Sequence, residues 1–143
     1  TPCGTLFPYT TLFRSCRWLA ERSVEAVAEH GWQLRDRLTG RLGEIVGCTL
    51  IAGGSAPVVG IVSFTLSGLD LGEAGARLDR EHGILLRPGL HCAPAAHRTL
   101  GTFPNGTLRA AIGPFTTTAD VDALADAVAA LAPPVGRAPA WKQ

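Results

Sequence analysis

The residues best suited to chemistry in this chain lie in the stretch RPGLHCAPAAHRTLG, at positions 87–101. The stretch places the thiol of Cys92 next to His91 and five positions after Arg87. Positive charge near a cysteine favours the thiolate, which is its nucleophilic form. Another arginine, Arg109, follows in the strand-like segment GTLRAAIG. The pattern predicts a nucleophilic site in which a thiol works beside cationic side chains.

The same stretch is predicted to be a loop. Pro88 and Pro94 remove backbone donors, and Gly89 tolerates unusual dihedral angles. A buried, inert thiol is the alternative, because free cysteine often behaves as a small apolar residue. Zinc prefers four Cys or His ligands at short spacings, whereas only three candidates cluster here. No metal site is therefore predicted. The three candidates are His91, Cys92 and His97.

Helices and strands alternate around this loop, and their order is α-β-β-α-β-loop-β-α. Apolar residues recur every three or four positions in the helices, and β-branched residues are frequent in the strands. Asp70 and Thr117 are predicted helix caps, Glu73 and Asp120 their capping-box partners, and Gly83 a helix stop. Such an arrangement predicts a two-layer α+β domain. The predicted helices are 18–42, 71–82 and 118–131, and the predicted strands are 48–52, 58–66, 84–87 and 107–112.

Composition narrows the class of protein. The chain has 143 residues, 46% of them hydrophobic and 17% charged, with a net charge of +1. The chain lacks the surplus of basic residues that would indicate a nucleic-acid partner. It also has no apolar run that approaches the ~20 residues of a membrane helix. The four cysteines are far apart and form no CxxC motif. They indicate a reducing compartment and a cytoplasmic protein rather than a disulfide framework.

Two segments carry a family resemblance, GIVSFTLSGLD at 60–70 and LDREHGILLRPGLHCAPAAHRTLGTFPNGTLRAAIGPFTT at 78–117. They resemble the C-terminal domain of class V aminotransferases, and within that family they are most similar to the cysteine desulfurases. The resemblance extends over residues 17–131. It departs at Thr116, where the family usually has Asn. It implies the small domain of a fold-type-I pyridoxal-phosphate enzyme, with a small, mostly antiparallel sheet packed by helices.

The resemblance also implies roles for individual residues. Cys92 matches the catalytic thiol that takes sulfur from the substrate and becomes a persulfide, leaving alanine. Arg109 matches the arginine that binds the substrate carboxylate in two parallel hydrogen bonds. Arg87 matches a further substrate-site arginine that orders the loop or meets a partner subunit. The cofactor lysine is expected in a separate large domain, because Lys142 is the only lysine here and lies in the C-terminal tail.

The implied parent protein is a homodimeric desulfurase that acts on L-cysteine, uses pyridoxal phosphate and passes sulfur to an acceptor protein. This chain alone is expected to be inactive. Related aminotransferases, epimerases and selenocysteine lyases remain open, since they share the scaffold. A non-catalytic interaction or redox module is the alternative from a different class.

The chain ends are expected to differ from its centre. Residues 5–15 read TLFPYTTLFRS, which matches the translation of a common sequencing adapter. Residues 1–15 are therefore expected to be an adapter artefact that does not pack on the domain. The domain itself is predicted to cover residues 16–132, and residues 133–143 are predicted to be a frayed tail.

Overall fold

The computed structural model describes residues 13–51 and 60–132. Most of the segment 1–15 and all of the tail 133–143 lie outside these residues, as do residues 58 and 59 of the second predicted strand. Within the described residues, the helices are α1 (Arg14–Arg22), α2 (Val24–Gly43), α3 (Leu71–His82), α4 (Pro94–Thr99) and α5 (Thr118–Leu131). The strands are β1 (Cys48–Leu50), β2 (Ile61–Leu66), β3 (Arg87–Gly89) and β4 (Thr107–Ala111).

The four strands form one antiparallel sheet in the order β1-β2-β4-β3. In β2 the residues alternate between the two faces, so that Val62, Phe64 and Leu66 are buried while their neighbours are partly or fully exposed. The buried face packs against helices, as the period of two in a strand requires. The predicted α+β class with a small antiparallel sheet is confirmed.

The core lies between this face and helices α2, α3 and α5. Each of these helices carries one buried apolar stripe at helical spacing, which is why it packs on the sheet through a single side. Phe64 and Leu108 lie side by side in the sheet and are completely buried. The helical side chains in the same buried core include Leu34, Leu38, Leu42, Ala74, Leu78, Val121, Leu124 and Val128.

The prediction of a single helix over residues 18–42 is wrong, because the helix is interrupted at Ser23. Ser23 has a φ of 66°, outside the right-handed helical region. Its hydroxyl accepts a hydrogen bond from the backbone N–H of Ala26 at 3.1 Å, which caps the start of α2. The apolar period continues through the break, so the pattern alone does not reveal it.

The predicted caps of the other two long helices are confirmed in part. Thr117 and Asp120 form a complete capping box at the start of α5. Asp70 accepts a hydrogen bond from the Glu73 backbone N–H, and Gly83 ends α3 in the left-handed conformation. The predicted capping-box role of Glu73 is wrong, because its carboxylate instead accepts a hydrogen bond from Arg80 at 3.2 Å.

The predicted boundaries between residues 84 and 101 are also wrong. The strand begins at Arg87, not Ile84, and the supposed loop contains β3 and α4. Pro88 is tolerated in β3 because this strand lies at the edge of the sheet. Pro94 starts α4, where its missing N–H has no intrahelical partner to lose. No helix in the described residues is both long and apolar enough to cross a membrane.

Candidate functional site

Two arginines lie side by side on the sheet face away from the helices. Arg87 of β3 pairs with Arg109 of β4, and Arg109 pairs in turn with Ser63 of β2. The next row along, which contains Leu108, faces the core. Because paired residues share a face of an antiparallel sheet, the two guanidinium groups occupy the same face at the β3 edge. We call this region the open face.

Cys92 lies at the tip of a tight turn that follows β3. The turn is closed by a hydrogen bond from the Ala93 N–H to the Leu90 carbonyl at 2.8 Å. Its two central residues, His91 and Cys92, have φ values of 51° and 62°. Such turns favour Gly or Asn, and a left-handed non-glycine residue costs about 1–3 kcal/mol. The chain therefore holds an exposed cysteine in a strained backbone conformation.

Arg87 contacts this thiol. Its Nη2 atom lies 3.9 Å from Cys92 Sγ, which is a long contact. The structure thus brings together two residues that the sequence selected separately, and places the third, Arg109, beside Arg87 in the adjacent strand.

His91 joins the turn to the sheet. Its Nε2 lies 3.1 Å from the hydroxyl of Thr107, a residue of β4 that is 1% exposed. Its Nδ1 is buried and has no hydrogen-bond partner within the described part of the chain. Burial lowers the pKa of His91, and the nearby charges of Arg109, His97 and Arg87 lower it further. The imidazole is consequently neutral at pH 7.

His97 supports this arrangement from α4. It is buried, its Nδ1 lies 2.7 Å from the Thr102 hydroxyl, and its ring centroid lies 5.7 Å from that of His91. Its backbone carbonyl accepts N–H groups from Thr102 and Phe103. His97 therefore holds the loop between α4 and β4 through these hydrogen bonds. No group of three or more metal-binding side chains occurs among residues 13–51 and 60–132.

The other described thiols have different surroundings. Cys48 is half-buried at the start of β1, and burial raises the pKa of its thiol to about 11. Cys16 is exposed on α1. Among the three described cysteines, Cys92 is the one whose thiol contacts a cation.

Sequence reasoning missed the part played by His91, Thr107 and His97 in building the site. One signal was available: Thr107 lies two positions before Arg109 and so shares its face of β4. The left-handed turn was not visible, because neither His91 nor Cys92 is a residue that favours it.

Comparison with known proteins assigns the domain to a family. The model of the aminotransferase class-V family matches residues 7–124. The chain therefore belongs to the class-V aminotransferase family, as the sequence resemblance predicted.

Particular relatives narrow the comparison to cysteine desulfurases. The chain is 30% identical over 129 residues to the probable cysteine desulfurase 1 of Mycobacterium leprae, which covers 90% of this chain and 20% of that protein. It is 32% identical over 129 residues to the probable cysteine desulfurase of Mycolicibacterium paratuberculosis, covering 90% and 18%. The chain thus spans about a fifth of the length of these curated relatives.

A solved structure gives the same result for the fold. The crystal structure of the cysteine desulfurase CsdA (S-sulfonic acid) from Escherichia coli superposes with a TM-score of 0.73 at 28% identity. The match covers 85% of this chain and 30% of that one. Its α+β architecture agrees with the sheet and helices described above.

Proposed function

We propose that this chain is the thiol-bearing, substrate-contacting domain of a cysteine desulfurase that converts L-cysteine to L-alanine. The observation that carries the proposal is the position of Cys92, which is exposed on a strained turn beside Arg87 at the edge of the open face. The similarity to cysteine desulfurases supports the choice among class-V enzymes.

In the proposed reaction, the Cys92 thiolate attacks the sulfur atom of the substrate. A sulfur–sulfur bond forms and the carbon–sulfur bond breaks. The electron pair of the broken bond stays on the substrate carbon, which takes a proton and yields alanine. Cys92 is left as a persulfide, so its exposure also allows transfer of that sulfur to an acceptor.

Arg109 is proposed to bind the substrate carboxylate. A guanidinium offers parallel N–H donors that match the two oxygens of a carboxylate. Arg109 is half-buried, and its backbone is fixed because β4 pairs with β2 on one side and with β3 on the other. Arg87 is more exposed and contacts the thiol, which suits a role in orienting Cys92 and in attracting an anionic substrate.

Pyridoxal phosphate is the cofactor that the family implies, and an enzyme holds it through an imine with a lysine. The described residues include no lysine, and Lys142 lies outside them. These residues therefore do not fit as the site of the imine. We propose that other residues of the complete enzyme hold the cofactor, and that this chain alone is inactive.

The complete enzyme is further proposed to be a cytoplasmic homodimer with a sulfur-acceptor protein as partner. Large apolar side chains, including Leu85 and Phe115, are 80% and 76% exposed on this domain. Exposed apolar area supports further contacts with a large domain or a second subunit.

Two substitutions in the complete enzyme that carries this domain test the proposal. With L-cysteine as substrate, Cys92→Ser should abolish alanine and persulfide formation. Arg109→Ala should mainly raise KM, because it removes a carboxylate contact. Cys16→Ser is the matched control, since this thiol is also exposed but lies on α1. Alanine formation by Cys92→Ser at the wild-type rate would contradict the desulfurase proposal and favour an aminotransferase or epimerase.

A further inference from the structure

The turn that presents Cys92 needs a support, because two consecutive non-glycine residues in it are left-handed. We propose that His91 is a positioning residue, and that its hydrogen bond to Thr107 holds the turn so that Cys92 stays beside Arg87. The inference rests on the proposed role of Cys92 as the nucleophile and extends it to two residues with no assigned role.

The first support for this inference is the connectivity of the turn. Leu90 and Ala93 close the turn through their own backbone, so that bond does not attach it to the sheet. Within the described residues, the side-chain polar contacts of the turn are the 3.1 Å contact of His91 with Thr107 and the 3.9 Å contact of Cys92 with Arg87. The shorter contact is the one that is able to resist relaxation of the strained backbone.

The second support is the rigidity of the acceptor. Thr107 is 1% exposed, begins β4 and pairs with Gly89 at the end of β3. It lies two residues before Arg109 on the same strand. A bond from the turn to Thr107 therefore fixes the thiol relative to the strand that carries the proposed carboxylate ligand. Such fixed geometry is what brings a nucleophile and a binding group onto one small substrate.

The third support is the choice of side chain. An imidazole is long enough to reach the sheet from the turn, and the His97 ring packs beside it. The ring stays neutral because it is buried near Arg109 and Arg87. A neutral ring adds no repulsion to these cations, whereas a lysine at this position would.

The test measures how fast iodoacetamide modifies Cys92 in the 143-residue chain, by mass spectrometry of the peptide that contains it. Thr107→Val removes the hydroxyl and keeps the shape of the side chain. Because the turn would then no longer be held with Cys92 beside Arg87, modification should slow about fivefold, the factor expected for one hydrogen bond. Thr107→Ser keeps the hydroxyl and should react within about twofold of wild type on the same scale. The rate at Cys16 should not change in either variant.

A second pair of variants separates positioning from damage to the fold. His91→Asn tolerates the left-handed conformation but is too short to reach Thr107, so it should slow Cys92 as much as Thr107→Val does. The double variant should be no slower than either single variant, because both remove the same bond. Cys48 should react more slowly than Cys92 in every variant that keeps the core intact.

The inference is overturned if Thr107→Val leaves the rate at Cys92 unchanged or raises it. It is equally overturned if Thr107→Ser is as slow as Thr107→Val, or if the effects of His91→Asn and Thr107→Val add. The assay needs neither cofactor nor L-cysteine. Its failure would therefore leave the desulfurase proposal to be decided by the Cys92→Ser enzyme.

Discussion

The two faces of the sheet do different work, although the same strands build both. On the helix face, Phe64 and Leu108 are completely buried and lie in regular, unstrained strands. On the open face, one residue further along β4, Arg109 pairs with Arg87 close to the strained turn of Cys92. Stability is concentrated on the first face and reactive groups on the second, so substitutions on the two faces should have separable effects.

The largest effect on stability is expected on the helix face. Phe64→Ala should lower the free energy of unfolding by about 3–5 kcal/mol, because it removes buried area and leaves a cavity. Cys92→Ala on the open face should change it by no more than about 0.5 kcal/mol, since the side chain is exposed. Urea denaturation of both variants measures the difference. Equal losses would show that the faces are not separable.

The residue that precedes β4 should be nearly as sensitive. Gly106 has a φ of 82°, and a Cβ there would collide with the backbone of Gly89 at the end of β3. Gly106→Ala should cost about 3 kcal/mol through backbone strain and overpacking. Gly83→Ala is the control, because Gly83 has a φ of 66° but open space around it. It should cost only about 1 kcal/mol. Thermal unfolding of the two variants compares them, and a smaller loss for Gly106→Ala would refute the close approach.

A smaller effect is expected at the start of α5, on the far side of the core. Thr117→Ala removes the capping-box hydroxyl that accepts the Asp120 N–H and should cost about 1 kcal/mol. Thr117→Ser keeps the hydroxyl and should lose much less. Denaturant unfolding checks this pair, and reactivity at Cys92 should stay unchanged in both. A changed modification rate at Cys92 would show that the two faces of the sheet are coupled.

The smallest effect is expected from surface charge on α5. Asp122 accepts hydrogen bonds from Arg37 and Arg41, and these lower the pKa of its carboxyl from 3.8 to about 2. Because the folded-state pKa is the lower one, the carboxylate contributes stability above about pH 4 and loses it as the pH falls towards 2. Asp122→Asn should flatten the stability curve in that window. If the dependence of stability on pH were unchanged, the pairs of Asp122 with Arg37 and Arg41 would contribute nothing to the free energy of unfolding.

The sequence predicted the helix face well because burial imposes a simple period. The stripes of α2 and α5, the Thr117 cap and the presence of strand β2 all follow from spacing and residue type. It also selected Cys92, Arg87 and Arg109 as the site residues, through residue chemistry and the family resemblance. Their roles remain proposals.

The rest depends on tertiary contacts that leave no periodic trace. The break at Ser23 and the left-handed pair at His91 and Cys92 both need residues that rarely adopt such φ values. The contact of His91 with Thr107 joins residues 16 positions apart and becomes evident only when β3 and β4 pair. Strain of this kind is expected where function overrides local preference.

The central claim is that the open face makes Cys92 the reactive thiol of this domain. Its most direct test is the modification rate of each described cysteine by iodoacetamide in one sample of the native chain near neutral pH. Cys92 should react fastest, because it is exposed beside Arg87, and Cys48 slowest, because burial raises the pKa of its thiol to about 11. Cys16, which is exposed on α1, should lie between them. If Cys16 reacts as fast as Cys92 or faster, the open face confers no special reactivity and the claim is contradicted.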